Sequence, residues 1–287
     1  MDPTKHKEFR FSADGAYVAA GVWKIDESTN PEVCVIRVLD GQRFDLVDAS
    51  YDFGGHRLEL DAKSRTLFTA AYYETGVAAY DFESGAVIWR RRDIKKAQRL
   101  TYDALDGVLY CFCERRRTIL LTAATGKERP YRGRFNELFV GRDPRYSVID
   151  AACVKLHDRE TQTAFELSRE AEDILRVAFT ANAAVVSWVG GPVTGYDLET
   201  GSLRWTYKTE GTHAYCVAPS SNNDSVWIVE QPYQEPPWHR LRRLSESGEV
   251  EDEVRCGLGH SFAIAPYMDS VIRVNLSITR IEDLRNE

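Results

Sequence analysis

No apolar run in the chain approaches the ~20 residues that a membrane-spanning helix needs, so no membrane partner is expected. Met1 to Glu8 lacks the apolar core of a secretory signal, which makes a cytoplasmic location the expectation. No CxxC pair occurs, and this removes the usual frame of a structural zinc site. GxSxG, P-loop and HExxH motifs are missing too, so the common frameworks for a serine nucleophile, a bound nucleotide and a catalytic zinc are absent. No cofactor is expected. Helical periodicity is confined to a turn near Arg169 to Ile174, and no low-complexity or linker segment breaks the chain. Residues 1–287 therefore read as one domain. Basic residues are outnumbered, 37 to 44, and the net charge of −7 argues against general nucleic-acid binding.

Six cysteines are present. Five sit inside apolar strand-like runs and Cys256 lies at the edge of one. Free buried thiols are the expectation, since free Cys behaves as a small apolar residue; bridges or metal are the alternative.

What the chain does have is a phrase written twice. Tyr80-Asp81-Phe82-Glu83-Ser84-Gly85-Ala86-Val87-Ile88-Trp89 returns as Tyr196-Asp197-Leu198-Glu199-Thr200-Gly201-Ser202-Leu203-Arg204-Trp205. Each copy is a strand, an acid-hydroxyl-glycine turn and a second strand ending in Trp. Gly supplies positive φ at the turn, and the acid and hydroxyl bond the turn backbone. The copies lie 116 residues apart, three units of about 39, a period typical of propeller blades.

Further turns fall at Leu39-Asp40-Gly41, Ala124-Thr125-Gly126 and Ser245-Glu246-Ser247-Gly248, with a degenerate copy at His157-Asp158-Arg159-Glu160-Thr161. Two more strand-like runs precede each turn. The fold expected is all-β: a seven-bladed β-propeller of four-stranded antiparallel blades, with six blades as the alternative count. The seventh unit, from Ser261, has three strands only. Asp2 to Lys7 is expected to supply its outer strand and close the ring, because an open ring would leave strand edges free.

Ala79-x-Asp81-x-x-Ser84-Gly85-x-x-x-Trp89 and Gly195-x-Asp197-x-x-Thr200-Gly201-x-x-x-Trp205 resemble the tryptophan-docking repeat of PQQ-like β-propellers. The resemblance implies that Trp89 and Trp205 are structural, each packing between neighbouring blades. Quinone binding is not implied. The quinoprotein dehydrogenases of that superfamily are about twice this size and carry an adjacent-cysteine pair that this chain lacks.

Three constellations are candidates for function. His6, His56, His213 and His260 fall at the start of the first strand of four consecutive blades, where that strand enters the channel from the top face. Imidazole suits Zn, Cu, Fe or Ni, so these four form a candidate metal or ligand site. The competing account is structural: Gly55-His56 and Gly259-His260 look like the Gly-His pair of WD40-like blades. The second constellation is basic. Between Arg90 and Arg134 there are thirteen Lys/Arg against five Asp/Glu. Arg90-Arg91-Arg92 with Lys95-Lys96, and Arg115-Arg116-Arg117, fall in loops that should adjoin on the top rim. The third is the proline-rich loop 231–238, whose Tyr233 and Trp238 are candidate interface anchors.

The expectation is a non-catalytic, monomeric binding module of a bacterial cytoplasm. It would recognise a protein partner, one with an acidic surface, through top-face loops, as an adaptor or an inhibitor of immunity type. Lys95, Lys96, Arg115, Arg116, Arg117, Tyr233 and Trp238 are its expected contacts. The alternative is an enzyme dependent on a metal or small ligand at the histidine cluster.

Overall fold

The computed structural model describes residues 7–22, 32–46, 57–71, 76–114, 117–131, 133, 135–171, 173–209, 214–230, 239–257, 262–273 and 276–286. Almost every element is a short strand, and the strands follow one another as antiparallel sheets, the blades of a seven-bladed β-propeller. Blade 1 holds β1 (Lys7–Phe11), β2 (Tyr17–Val22), β3 (Glu32–Arg37) and β4 (Arg43–Leu46). Blade 2 holds β5 (Leu58–Asp61), β6 (Thr66–Ala70), β7 (Val77–Asp81) and β8 (Val87–Arg91). Blade 3 holds β9 (Ala97–Asp103), β10 (Val108–Cys113), β11 (Arg117–Thr122) and β12 (Glu128–Arg129). Blade 4 holds β13 (Glu137–Val140), β14 (Tyr146–Asp150), β15 (Val154–Asp158) and β16 (Thr163–Glu166). Blade 5 holds β17 (Ile174–Phe179), β18 (Ala183–Trp188), β19 (Val193–Asp197) and β20 (Leu203–Tyr207). Blade 6 holds β21 (Ala214–Pro219), β22 (Val226–Glu230), β23 (His239–Leu244) and β24 (Val250–Cys256). Blade 7 has three strands, β25 (Phe262–Ala265), β26 (Ser270–Arg273) and β27 (Ile278–Arg280).

The chain forms two compact units, Met1–Glu137 and Leu138–Glu287. In both, the apolar clusters lie between consecutive blades. One joins Leu46 of blade 1 to Leu58 and Leu67 of blade 2, and another joins Phe68 to Leu100 and Leu109 of blade 3. In the second unit the clusters pair blade 4 with 5, 5 with 6, and 6 with 7. The second strand of a blade is therefore covered on both faces. β6, β18 and β22 are buried throughout, and apolar residues follow one another along them without the alternation of a one-sided strand. Outer strands such as β16 and β20 are largely exposed, and β8 is exposed to half-buried.

The expectation at the N-terminal end needs correction. Lys7 opens β1, which pairs with β2 from Lys7↔Val22 to Phe11↔Val18, so it is not part of an outer strand of blade 7; residues 1–6 lie outside the described ones. After β27 the chain turns into a 3-10 helix, Ile281–Asn286. Ile281 and Leu284, three apart and so on one face of such a helix, are buried against Val254 and Cys256 of β24. The turn expected near Arg169 to Ile174 is not helical. Ser168 instead uses its carbonyl to accept the Tyr196 hydroxyl at 2.7 Å, Arg169 reaches Asp150 at 2.7 Å, and Ile174 begins β17.

Among the described residues, Cys34, Cys111, Cys113, Cys153 and Cys256 form no disulfide. All but Cys153, which sits half-buried in the turn before β15, are buried. Burial pushes the Cys113 thiol up to about 11 and raises Cys111 as well, so both stay protonated and inert at neutral pH.

Candidate functional site

The repeated phrase folds as a joint between blades. Asp81 Oδ1 accepts the Ser84 N–H and hydroxyl, both at 2.8 Å, and Gly85 closes the turn at φ 73°. Asp197 does the same with Thr200, both contacts at 2.9 Å, and Gly201 has φ 68°. In the degenerate copy Asp158 accepts Glu160 N–H at 3.0 Å, and Gln162 takes the left-handed position at φ 58°. Trp89 then reaches the next blade: its indole N–H donates to Ala123 O at 2.6 Å, and its ring lies on Gly126, where a Cβ would come within 2.7 Å of it. Trp205 lies in the same way on Gly248 of blade 6. Each tryptophan thus touches the blade that follows its own.

Phe165 performs this role in blade 4 and is not evident in the repeat. It covers Gly201 of blade 5, where a Cβ would sit 2.2 Å from its own Cβ. Trp89 pairs with Ala79, Trp205 with Gly195 and Phe165 with Leu156, in each case two residues before the turn acid.

The basic loops do meet. Residues 92–96 link β8 to β9, and residues 114–116 link β10 to β11. Ile94 and Ala97, buried in the core, pin the first link from below. Lys96, at φ 60°, pairs with Glu114 at 2.8 Å, and its carbonyl accepts Glu114 N–H at 3.1 Å. Arg91 bonds Asp93 at 2.6 Å and holds that carboxyl down to about 2, with Arg117 adding its field. Arg91 also faces Glu128 at 3.4 Å. Two of the basic residues are thereby neutralised locally. Arg92, Lys95 and Arg117 are exposed and make no ion pair among the described residues. Arg115 and Arg116 lie outside the described residues, as do Tyr233 and Trp238 of the proline-rich loop.

All four histidines of the candidate metal site, His6, His56, His213 and His260, also lie outside the described residues. Among those described, no group of three His, Cys, Asp or Glu is placed to hold a metal ion.

A cleft of about 450 Å³ opens within the second unit, where the turns between first and second strands of blades 4 to 7 converge. Arg142 stands over the Tyr267 ring, 5.0 Å from its centroid. The Tyr267 hydroxyl donates to Phe179 O at 3.2 Å, and burial pushes its phenol up to about 12, so it stays neutral. Asn223 and Tyr267 adopt left-handed backbone, φ 60° and 63°. The Asn223 carbonyl accepts Ala181 N–H at 2.8 Å, while its side-chain Oδ1 is buried without a donor.

The sequence matches no protein-family model and no curated protein. Its fold is shared with solved WD40-type propellers. The C-terminal WD40 domain of Sif2 superposes with a TM-score of 0.58 at 8% identity, over 93% of this chain and 77% of that one. The β-propeller domain of Myceliophteria thermophila Cps50 (Swd1) superposes with a TM-score of 0.66 at 11% identity, over 96% and 97%.

Proposed function

We propose that the chain is a non-catalytic interaction scaffold that recognises an acidic protein surface through the rim of blades 2 and 3. The observation that carries this reading is the asymmetry of the basic loops. Arg91 and Lys96 are spent on Asp93, Glu128 and Glu114, whereas Arg92, Lys95 and Arg117 are left facing solvent. Uncompensated charge on an acidic protein steers an oppositely charged partner and raises its association rate. The propeller architecture suits the role, since variable loops sit on a stiff frame and WD40-like folds serve widely as platforms. Arg115, Arg116, Tyr233 and Trp238 complete the proposed contact set. The same reading takes the protein as a bacterial, cytoplasmic monomer acting as adaptor or inhibitor, with blades 2 and 5 carrying the PQQ-like form of the repeat.

Affinity capture from the native lysate at low salt, comparing wild type with R92E/K95E/R117E, tests it. One acidic protein captured stoichiometrically by wild type and lost by the variant, then rebound after purification with an on-rate that falls as salt rises, is the expected result. Equal capture by both forms overturns the role of the rim. An empty capture together with stoichiometric bound metal would turn the reading toward the histidine enzyme.

A further inference from the structure

We propose that the cleft in the second unit is a peptide-carboxylate site, with Arg142 receiving the carboxylate and Asn223 Oδ1 receiving a neighbouring backbone N–H. Two groups there are left incomplete by the fold. Arg142 is exposed, has the Tyr267 face beneath it and makes no ion pair among the described residues. Asn223 lines the cleft, and its Oδ1 is closed to solvent with no donor; a turn of the side chain toward the cleft would bring it to a ligand N–H and relieve the cost of the unpaired acceptor. A cation and a neutral acceptor lining one cleft call for an anion and an N–H on one ligand. A peptide bearing a carboxylate offers both.

The other charges narrow the class. Asp143 shares the mouth, with Oδ1 accepting Arg145 N–H at 2.9 Å. Arg145 itself is committed, bonding Asp158 through Nε at 3.0 Å and Nη2 at 2.7 Å and facing Glu160 at 3.2 Å. One free cation beside an acid suits a singly charged carboxylate and disfavours a dianionic phosphate. Phe179, Tyr146 and Leu198 supply apolar wall for a side chain next to the carboxylate. The volume lies within the ordinary range of ligand pockets, about 300–1,000 Å³. The position of the acceptor depends on the left-handed backbone of Asn223, which Asn and Asp tolerate better than other residues with a Cβ.

The proposal rests on the scaffold reading only in taking a peptide as ligand, and it uses different residues from the rim. Its test is a set of NMR titrations of the full chain with three defined peptides. Acetyl-Ala-Leu-Glu-Ala-amide carries a side-chain carboxylate, acetyl-Ala-Leu-Ala with a free C-terminus carries a terminal one, and acetyl-Ala-Leu-Gln-Ala-amide carries neither. Saturable binding of at least one carboxylate peptide with a Kd below about 1 mM is expected, and the glutamine peptide should bind at least about tenfold more weakly. Binding of the first alone assigns an internal acidic residue, and of the second alone a chain terminus. R142Q and N223D should each weaken binding about 10- to 100-fold while keeping the wild-type Tm, and R92E/K95E/R117E should leave it unchanged. No saturation by either carboxylate peptide, or R142Q binding as wild type, overturns the site without touching the rim. Loss of partner capture on rim reversal, with peptide binding intact, leaves both standing.

Discussion

Gly248 and Gly41 share a left-handed backbone, φ 79° and 72°, but differ in what lies above them. A Cβ on Gly248 would sit 2.7 Å from the Trp205 ring, while one on Gly41 would meet nothing within 4 Å. G41A should therefore cost only the left-handed penalty, about 1 kcal/mol, and G248A about 2–4 kcal/mol because Trp205 must also leave its seat. Urea melts of the two variants decide the matter, and equal costs would refute the seat. Asp158 makes a prediction about pH. It is buried, and the two bonds from Arg145 hold its carboxyl well below the ordinary carboxylate range. With a depressed folded value, the unfolded chain takes up the proton first. The stabilisation is complete above the unfolded pKa of about 4 and is lost as pH falls toward the folded one. D158N should thus be less stable than wild type at neutral pH and show a shallower loss of stability on acidification from about pH 4. A variant whose urea midpoint falls as steeply as wild type would remove Asp158 from the acid response.

At the scale of the element, the blade joint separates two tryptophans that look alike in sequence. Trp205 is 8% exposed and its indole N–H is buried without an acceptor; Trp89 is half-buried but bonds Ala123 O at 2.6 Å. W205F removes an orphaned donor along with some apolar area, whereas W89F breaks a hydrogen bond and strands a carbonyl. W89F should cost about 1–3 kcal/mol and W205F under about 1 kcal/mol, opposite to the order that burial alone dictates. Thermal or urea unfolding of the pair checks it. Much of this joint was legible beforehand, since the acid, hydroxyl, glycine and Trp each have a fixed place in the turn. Phe165 was hidden by one missing residue. The hairpins of blades 2 and 5 contain a β-bulge that skips Ile88 and Arg204, so the aromatic arrives eight residues after the acid. The hairpin of blade 4 pairs without a shift, and Phe165 arrives a residue sooner. The cleft was not legible at all. Arg142, Phe179, Asn223 and Tyr267 come from four blades, and nothing in their spacing says that their turns converge.

For the molecule as a whole, each apolar cluster among the described residues belongs to two neighbouring blades at once, so within either unit neighbouring blades share their cores. Each unit is therefore expected to unfold cooperatively, so calorimetry should show no more than two transitions, one for each unit. Two resolved peaks would assign separate stabilities to Met1–Glu137 and Leu138–Glu287. The seven-sheet count was readable because turn signals recur at near-constant spacing, while the 3-10 helix at the C-terminal end was not, since Ile281 reads equally well as strand. The aromatic-on-glycine joint has one more consequence. Blade 5 carries a plug for the blade after it, Trp205 on Gly248, and a socket for the blade before it, Gly201 under Phe165, and uses neither on itself. A copied blade inserted into the array would bring both halves of its own coupling, so an array of this kind grows by duplication without waiting for a compensating change elsewhere.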